Sequence, residues 1–98
     1  MTTARKLEEA EIHTWLSQHT EWTRDGVVLS RTYSLGSYAR HVGLAVQIAM
    51  AAERRDHHPD MVLKWGSLTV EWTTHDVGGL SSLDLSLAEA CDLLARDA

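Results

Sequence analysis

Met61-Val62-Leu63-Lys64-Trp65-Gly66-Ser67-Leu68-Thr69-Val70-Glu71-Trp72-Thr73-Thr74 is the stretch on which the fold turns. Leu68, Val70 and Trp72 alternate with Thr69, Glu71 and Thr73, and a period of two marks a strand with one covered face. Gly66 breaks the run, so Met61–Trp65 and Ser67–Thr74 are expected to pair as a hairpin, with Trp65 packed in the sheet. The covered face needs a second layer, and the flanking sequence supplies helices for it.

Upstream, residues 36–54 read as one long helix. Between Val42 and Ala52 only Gly43 and Gln47 interrupt the apolar residues. A helix apolar on most sides needs two partners: the sheet on one side and, in so short a chain, a second subunit on the other. Ala45 and Ala49 are small enough for close approach. Downstream, Leu83, Leu87, Ala90, Cys91 and Leu94 recur at helical spacing, which predicts a closing helix over 83–96. Before the long helix, Trp22–Arg24, an Asp25-Gly26 turn and Val27–Tyr33 form a second hairpin signal. Residues 4–18 carry Leu7, Ala10, Ile12 and Trp15 at mixed three and four spacing with acids early, an opening helix with one apolar face. The order αββαββα predicts an α+β fold: a four-stranded antiparallel sheet with three helices on one face, one domain over residues 1–98.

Composition narrows the function classes. The chain has 98 residues and a formal charge of -5 with no run of like charges, which leaves no electrostatic footprint for nucleic acid or an anionic membrane. A small neutral or polar ligand fits better. Cys91 is the single cysteine and has no partner for an internal disulfide. The start, Met1 to Lys6, leads into Glu8, Glu9 and Glu11 without an apolar signal region, so a cytoplasmic location is expected.

The chemistry gathers in one spaced set. Asp56-His57-His58-Pro59, Thr74-His75-Asp76 before Gly78-Gly79, and Asp84 together hold three of the six histidines. Such a set suits a metal-free acid/base pocket as readily as a zinc site with three protein ligands, although adjacent histidines are awkward for facing one ion. If the segment is extended, His57 and His58 point in opposite directions, and both face one ligand only if the chain curves around it. Pro59 biases His58 away from the α region and so ends the long helix. His75 falls where the last strand ends. Ser81 followed by Asp84 resembles a capping box, a role compatible with orienting a histidine. Asp56 is either a charge acting on His57 or a solvated loop residue. Glu53 reads as an exposed helix-end residue, and His13, His19 and His41 as surface or packing residues.

The intervals also carry a resemblance. Glu53-x3-His57-His58-Pro59, five residues to Trp65, nine more to His75 and eight more to Asp84 resemble the signature of the pterin-4a-carbinolamine dehydratases. Trp22 before Asp25-Gly26, Arg31 and Tyr33, Tyr38, and Ala52-Glu53 follow the same pattern, so the likeness covers roughly residues 7–97. It implies dehydration of a 4a-hydroxytetrahydropterin to the quinonoid dihydropterin, in recycling linked to an aromatic amino acid hydroxylase, without a cofactor or a metal. It implies His57 and His75 in proton transfer, His58 in substrate orientation, and Pro59, Thr74, Asp76, Val77 and Asp84 around the substrate. It further implies a homodimer or homotetramer in which subunits pair sheet edges and then pack helices. Members that act by binding other proteins give the alternative, a noncatalytic dimerisation or assembly partner. The chain departs from the pattern in having no phenylalanine: Tyr33, Leu35, Tyr38, Val42 and Leu44 stand where the family often carries it, and Met61 where an aromatic is common. Volume-preserving repacking accommodates such exchanges.

Overall fold

The computed structural model describes residues 4–98. The elements are α1 (Glu9–Gln18), β1 (Thr23–Asp25), β2 (Val28–Tyr33), α2 (Tyr38–Arg55), β3 (Asp60–Lys64), β4 (Ser67–Trp72) and α3 (Ser82–Arg96), with a 3₁₀ turn at His75–Val77 between β4 and α3. The order αββαββα and the four-stranded sheet are as the sequence predicts; the 3₁₀ turn is additional. The strands lie in the order β1-β2-β4-β3 with every neighbouring pair antiparallel. Of the start read over Met1 to Lys6, residues 1–3 lie outside the described residues. Among those residues no helix is long and apolar enough to cross a membrane.

Pairing explains the alternation. Leu29 lies opposite Trp72, Tyr33 opposite Leu68, and both Arg31 and Met61 opposite Val70, so these side chains share one face. Leu29, Leu68, Val70 and Trp72 are wholly buried on it. Burying each such side chain contributes about 1.5–3 kcal/mol. On the opposite face the Thr32 and Thr69 hydroxyls meet at 2.9 Å in an exposed contact. α2 covers the sheet with His41, Leu44, Ile48 and Ala52, α1 with Ile12 and Trp15, and α3 with Leu83, Leu87, Ala88 and Cys91. Val46 and Met50 stand exposed on the outer side of α2, where the sequence calls for a second partner. Burial pushes the free Cys91 thiol up to about 12, which leaves it an unreactive packing group.

The middle of α3 is fastened to the sheet by Asp92. Its carboxylate accepts from the Trp22 indole at 3.0 Å, the Arg31 guanidinium at 2.8 Å and the Tyr33 hydroxyl at 2.5 Å. One turn earlier, Glu89 accepts from the Trp15 indole at 2.8 Å. Two tryptophans thus pack with their rings and hold α3 with their N–H groups.

Three local expectations shift. α1 begins at Glu9, because the residues before it run beside the start of α3: the Leu7 N–H donates to the Leu80 carbonyl at 3.0 Å and the Ser82 N–H to the Arg5 carbonyl at 2.9 Å. In the first hairpin Asp25 pairs with Val28, so the two-residue turn is Gly26-Val27, with Gly26 at φ +61°. In the second, Lys64 pairs with Ser67, which makes Trp65-Gly66 the turn and leaves Trp65 84% exposed rather than packed in the sheet.

Candidate functional site

The site begins at the end of α2. Asp56 is the sole non-glycine residue with positive φ among the described residues (φ 49°, ψ 44°). Its N–H donates to the Glu53 carbonyl at 3.1 Å, and the His57 N–H reaches back to the Ala52 carbonyl at 3.2 Å. That pair of bonds is a Schellman closure, in which one left-handed residue turns the chain off the helix. The helix therefore stops at Asp56, ahead of the restriction that Pro59 imposes.

The closure throws His57 inward. Its side chain is 13% exposed, and its Nε2 lies 2.6 Å from Oδ1 of Asp84, which is wholly buried. The imidazole also stacks on the indole of Trp72, with centroids 5.7 Å apart and planes 16° from parallel. His58 turns the other way, as alternation in an extended segment requires. Its Nε2 meets Glu53 Oε1 at 2.8 Å on the exposed surface.

Asp84 stands at the start of α3, where the capping box foreseen with Ser81 is present. Its Oδ2 accepts from the Ser81 N–H at 2.8 Å and from the Thr74 hydroxyl at 2.7 Å, with the Ser81 hydroxyl at 3.4 Å. Thr74 Oγ1 lies 2.7 Å from Ser81 Oγ and 3.4 Å from His57 Nε2. Thr74 is anchored by an isolated antiparallel bridge to Gly79, with N–H to carbonyl bonds of 3.1 and 3.4 Å. Between its two halves the chain makes the 3₁₀ turn, closed by Gly78 at φ +66°. His75 and Asp76 are exposed on that turn, and Val77 is half-buried.

His57, Thr74 and Asp84 thus form one hydrogen-bonded group; Pro59, two residues after His57, is half-buried. His58, His75 and Asp76 lie outside that group; the His75 ring has no hydrogen-bond partner among the described residues. Three participants escape sequence reasoning. Glu53, read as a helix-end residue, holds His58; Ser81 binds Thr74 as well as capping α3; Trp72 forms the floor under His57. The signal for Trp72 was present, since residues 72 and 74 share a strand face. Among the described residues no group of three His, Cys, Asp or Glu side chains is arranged to hold a metal ion.

Chemically, the arrangement supplies one imidazole fixed at Nε2 and a second on the neighbouring turn, and among the described residues neither Nδ1 of the first nor the ring of the second has a hydrogen-bond partner. Two such groups flanking a small ligand can take and give protons near neutrality.

A putative pterin-4-alpha-carbinolamine dehydratase of Roseiflexus sp. (strain RS-1) is 39% identical over 89 residues, covering 91% of this chain and 96% of that protein. One of Nocardia farcinica is 39% identical over 94 residues, covering 96% and 99%. The crystal structure of a transcriptional coactivator/pterin dehydratase from Brucella melitensis superposes with a TM-score of 0.87 at 25% identity, covering 93% of this chain and 99% of that one. The profile of the family described as pterin 4 alpha carbinolamine dehydratase matches residues 5–94. A match over nearly the whole chain, with the same fold, places this chain in the pterin-4-alpha-carbinolamine dehydratase family.

Proposed function

We propose that this chain dehydrates a 4a-hydroxytetrahydropterin to the quinonoid dihydropterin and water, with His57 and His75 moving the protons and His58 orienting the substrate. The observation that carries the reading is the contact of His57 Nε2 with the buried Asp84 at 2.6 Å, above Trp72, which holds the ring beside the turn that bears His75. In the reaction the C4a–O bond breaks, the hydroxyl leaves as water with a proton from an acid, and N5 loses a proton to a base as the C4a–N5 double bond forms. A positioned acid or base supplies about 10²–10⁴ each. The backbone of Thr74–Val77, with Asp76 and Pro59, lines the space between the two rings on this reading and offers N–H and C=O groups to the amide-like edge of a pterin.

Self-association as a homodimer or homotetramer fits the same reading. It is supported by exposed Val46 and Met50 on α2 and by exposed Val62 and Leu63 on β3, which is an edge strand. A cytoplasmic role in recycling the product of an aromatic amino acid hydroxylase follows from that chemistry. The exposed α2 face also favours a second reading, docking onto another protein without catalysis.

The test is the decay of freshly generated 4a-hydroxytetrahydropterin, followed by ultraviolet absorbance with and without catalytic amounts of the protein. Acceleration that scales with protein concentration is expected. No acceleration from folded, assembled protein would transfer the weight to the docking reading.

A further inference from the structure

We propose that Thr74 and Ser81 are positioning residues that act through Asp84 to hold His57 in its Nε2–H tautomer, so that Nδ1 is the atom presented to the substrate and His57 enters the reaction as the base. The inference rests on the dehydratase reading for the identity of the proton donor but not for the tautomer itself.

The argument is a count of protons. Each hydroxyl has one to donate. The Thr74 hydroxyl donates to Asp84 Oδ2 at 2.7 Å, so in its 2.7 Å contact with Ser81 Oγ it is the acceptor and Ser81 the donor. The Ser81 N–H donates to the same Oδ2 at 2.8 Å. With Oδ2 occupied by two donors, the carboxylate is held in a fixed plane and presents Oδ1 to His57 Nε2 at 2.6 Å. An ionised carboxylate accepts at both oxygens and donates at neither, so with Asp84 in that form the hydrogen of that last bond belongs to Nε2. Which nitrogen of a histidine carries the proton is set by the bond the other makes, and here that leaves Nδ1 with its lone pair. Trp72, stacked 16° from the ring plane, fixes the remaining tilt.

The arrangement works only from below. Ser81 and Asp84 are wholly buried and Thr74 is 5% exposed, so none of the three hydrogen-bonding partners exchanges freely with water. In turnover, Nδ1 takes the N5 proton, the N5 electron pair closes the double bond to C4a, and the C4a hydroxyl departs as water with a proton from the acid, which is His75 on this reading. His57 then returns its extra proton to solvent and His75 regains one. The substrate has lost the elements of water, and no oxidant or reductant is needed.

Nitrogen-15 NMR of histidine-labelled protein, at a pH where the ring is neutral, reads the tautomer directly. The expected result is a pyrrole-type Nε2 and a pyridine-type Nδ1 for His57. Loss of the orienting carboxylate from a catalytic triad costs about 10⁴ in kcat. One bond further from the ring, Thr74→Val should cost about tenfold in kcat with little change in KM, and should bring the Nδ1–H tautomer into the spectrum. Thr74→Ser should restore both, which a merely structural role for the methyl group would not allow. A wild-type His57 protonated at Nδ1, or a folded Thr74→Val protein with an unchanged tautomer, would overturn the proposal. The wild-type spectrum decides the matter even where the valine variant fails to fold. Should the protein show no dehydration but the expected tautomer and its loss in Thr74→Val, the positioning role stands and the dehydratase reading falls.

Discussion

Asp84 and Asp92 lie about two turns apart on α3, and each gathers several donors, yet the donors differ in kind. Asp92 holds an indole, a guanidinium and a phenol, all of which keep their protons near neutrality. Burial, and next the bond to Asp92, push the Tyr33 phenol well above its ordinary range. Asp84 holds a backbone N–H, a hydroxyl and an imidazole. Of these partners the imidazole alone has a second ring nitrogen that can take or give a proton. Neither burial nor the number of bonds separates the two clusters; the kind of partner does.

The largest effect should come from Asp84→Asn, which leaves the shape but supplies the wrong hydrogen-bonding group to His57. By analogy with tautomer loss in a triad, the dehydration rate should fall about 10³–10⁴-fold. A drop of less than tenfold would place Asp84 with Asp92 as a clasp. His75→Ala should lower the rate about 10²-fold or more while shifting stability by less than about 0.5 kcal/mol, because the ring is exposed and unbonded. Unchanged turnover in that variant would remove His75 from the mechanism. Asp92→Ala should do the reverse. It should cost roughly 2–4 kcal/mol of stability, seen as a lower urea midpoint, with the rate per folded molecule within about threefold of wild type. A folded Asp92→Ala protein with wild-type stability would erase the contrast from the other side.

Two smaller tests probe the surroundings. Asp56→Gly replaces a strained left-handed residue by one that adopts φ +49° freely, although glycine also gains entropy when unfolded. The net gain should be about 0.5 kcal/mol by denaturant unfolding with an unchanged slope. The smallest effect concerns Glu11, whose carboxyl is lowered to about 2, chiefly by its hydrogen bond from Arg5. Because the folded state favours the ionised form, its stabilisation is present above the ordinary carboxylate value and is lost as pH falls toward about 2. NMR titration should place Glu11 near that value, and Arg5→Ala should raise it toward the ordinary range, with the remaining bond from the Glu8 N–H still holding it lower.

Much of this fold was legible in the sequence because periodicity reports burial. The alternation at Leu68, Val70 and Trp72 and the apolar run of α2 each correspond to one covered surface. What was not legible depends on pairing across long intervals. Residues 5–7 look helical by spacing but run beside residues 80–82, a contact no local pattern reveals. Trp65 continues the apolar run, yet strand register puts it in the turn, and a one-residue offset in register decides between core and solvent. In the site, Ser81-x-x-Asp84 was visible as a cap and the histidines as chemistry. The meeting of His57 with Asp84, with Thr74 beside both, depends on where the 3₁₀ turn returns the chain.

The closure of α2 by Asp56 makes helix length a gauge. His57 follows the stop directly, so the direction in which its ring points is set by the phase at which 18 residues of helix run out. Adding or deleting a single residue between Tyr38 and Arg55 would turn that stop by about 100° and move it about 1.5 Å. The imidazole would then swing off Trp72 and away from Asp84 with every side chain of the site intact. For an engineer, α2 tolerates changes of letter on its outer face far better than changes of count.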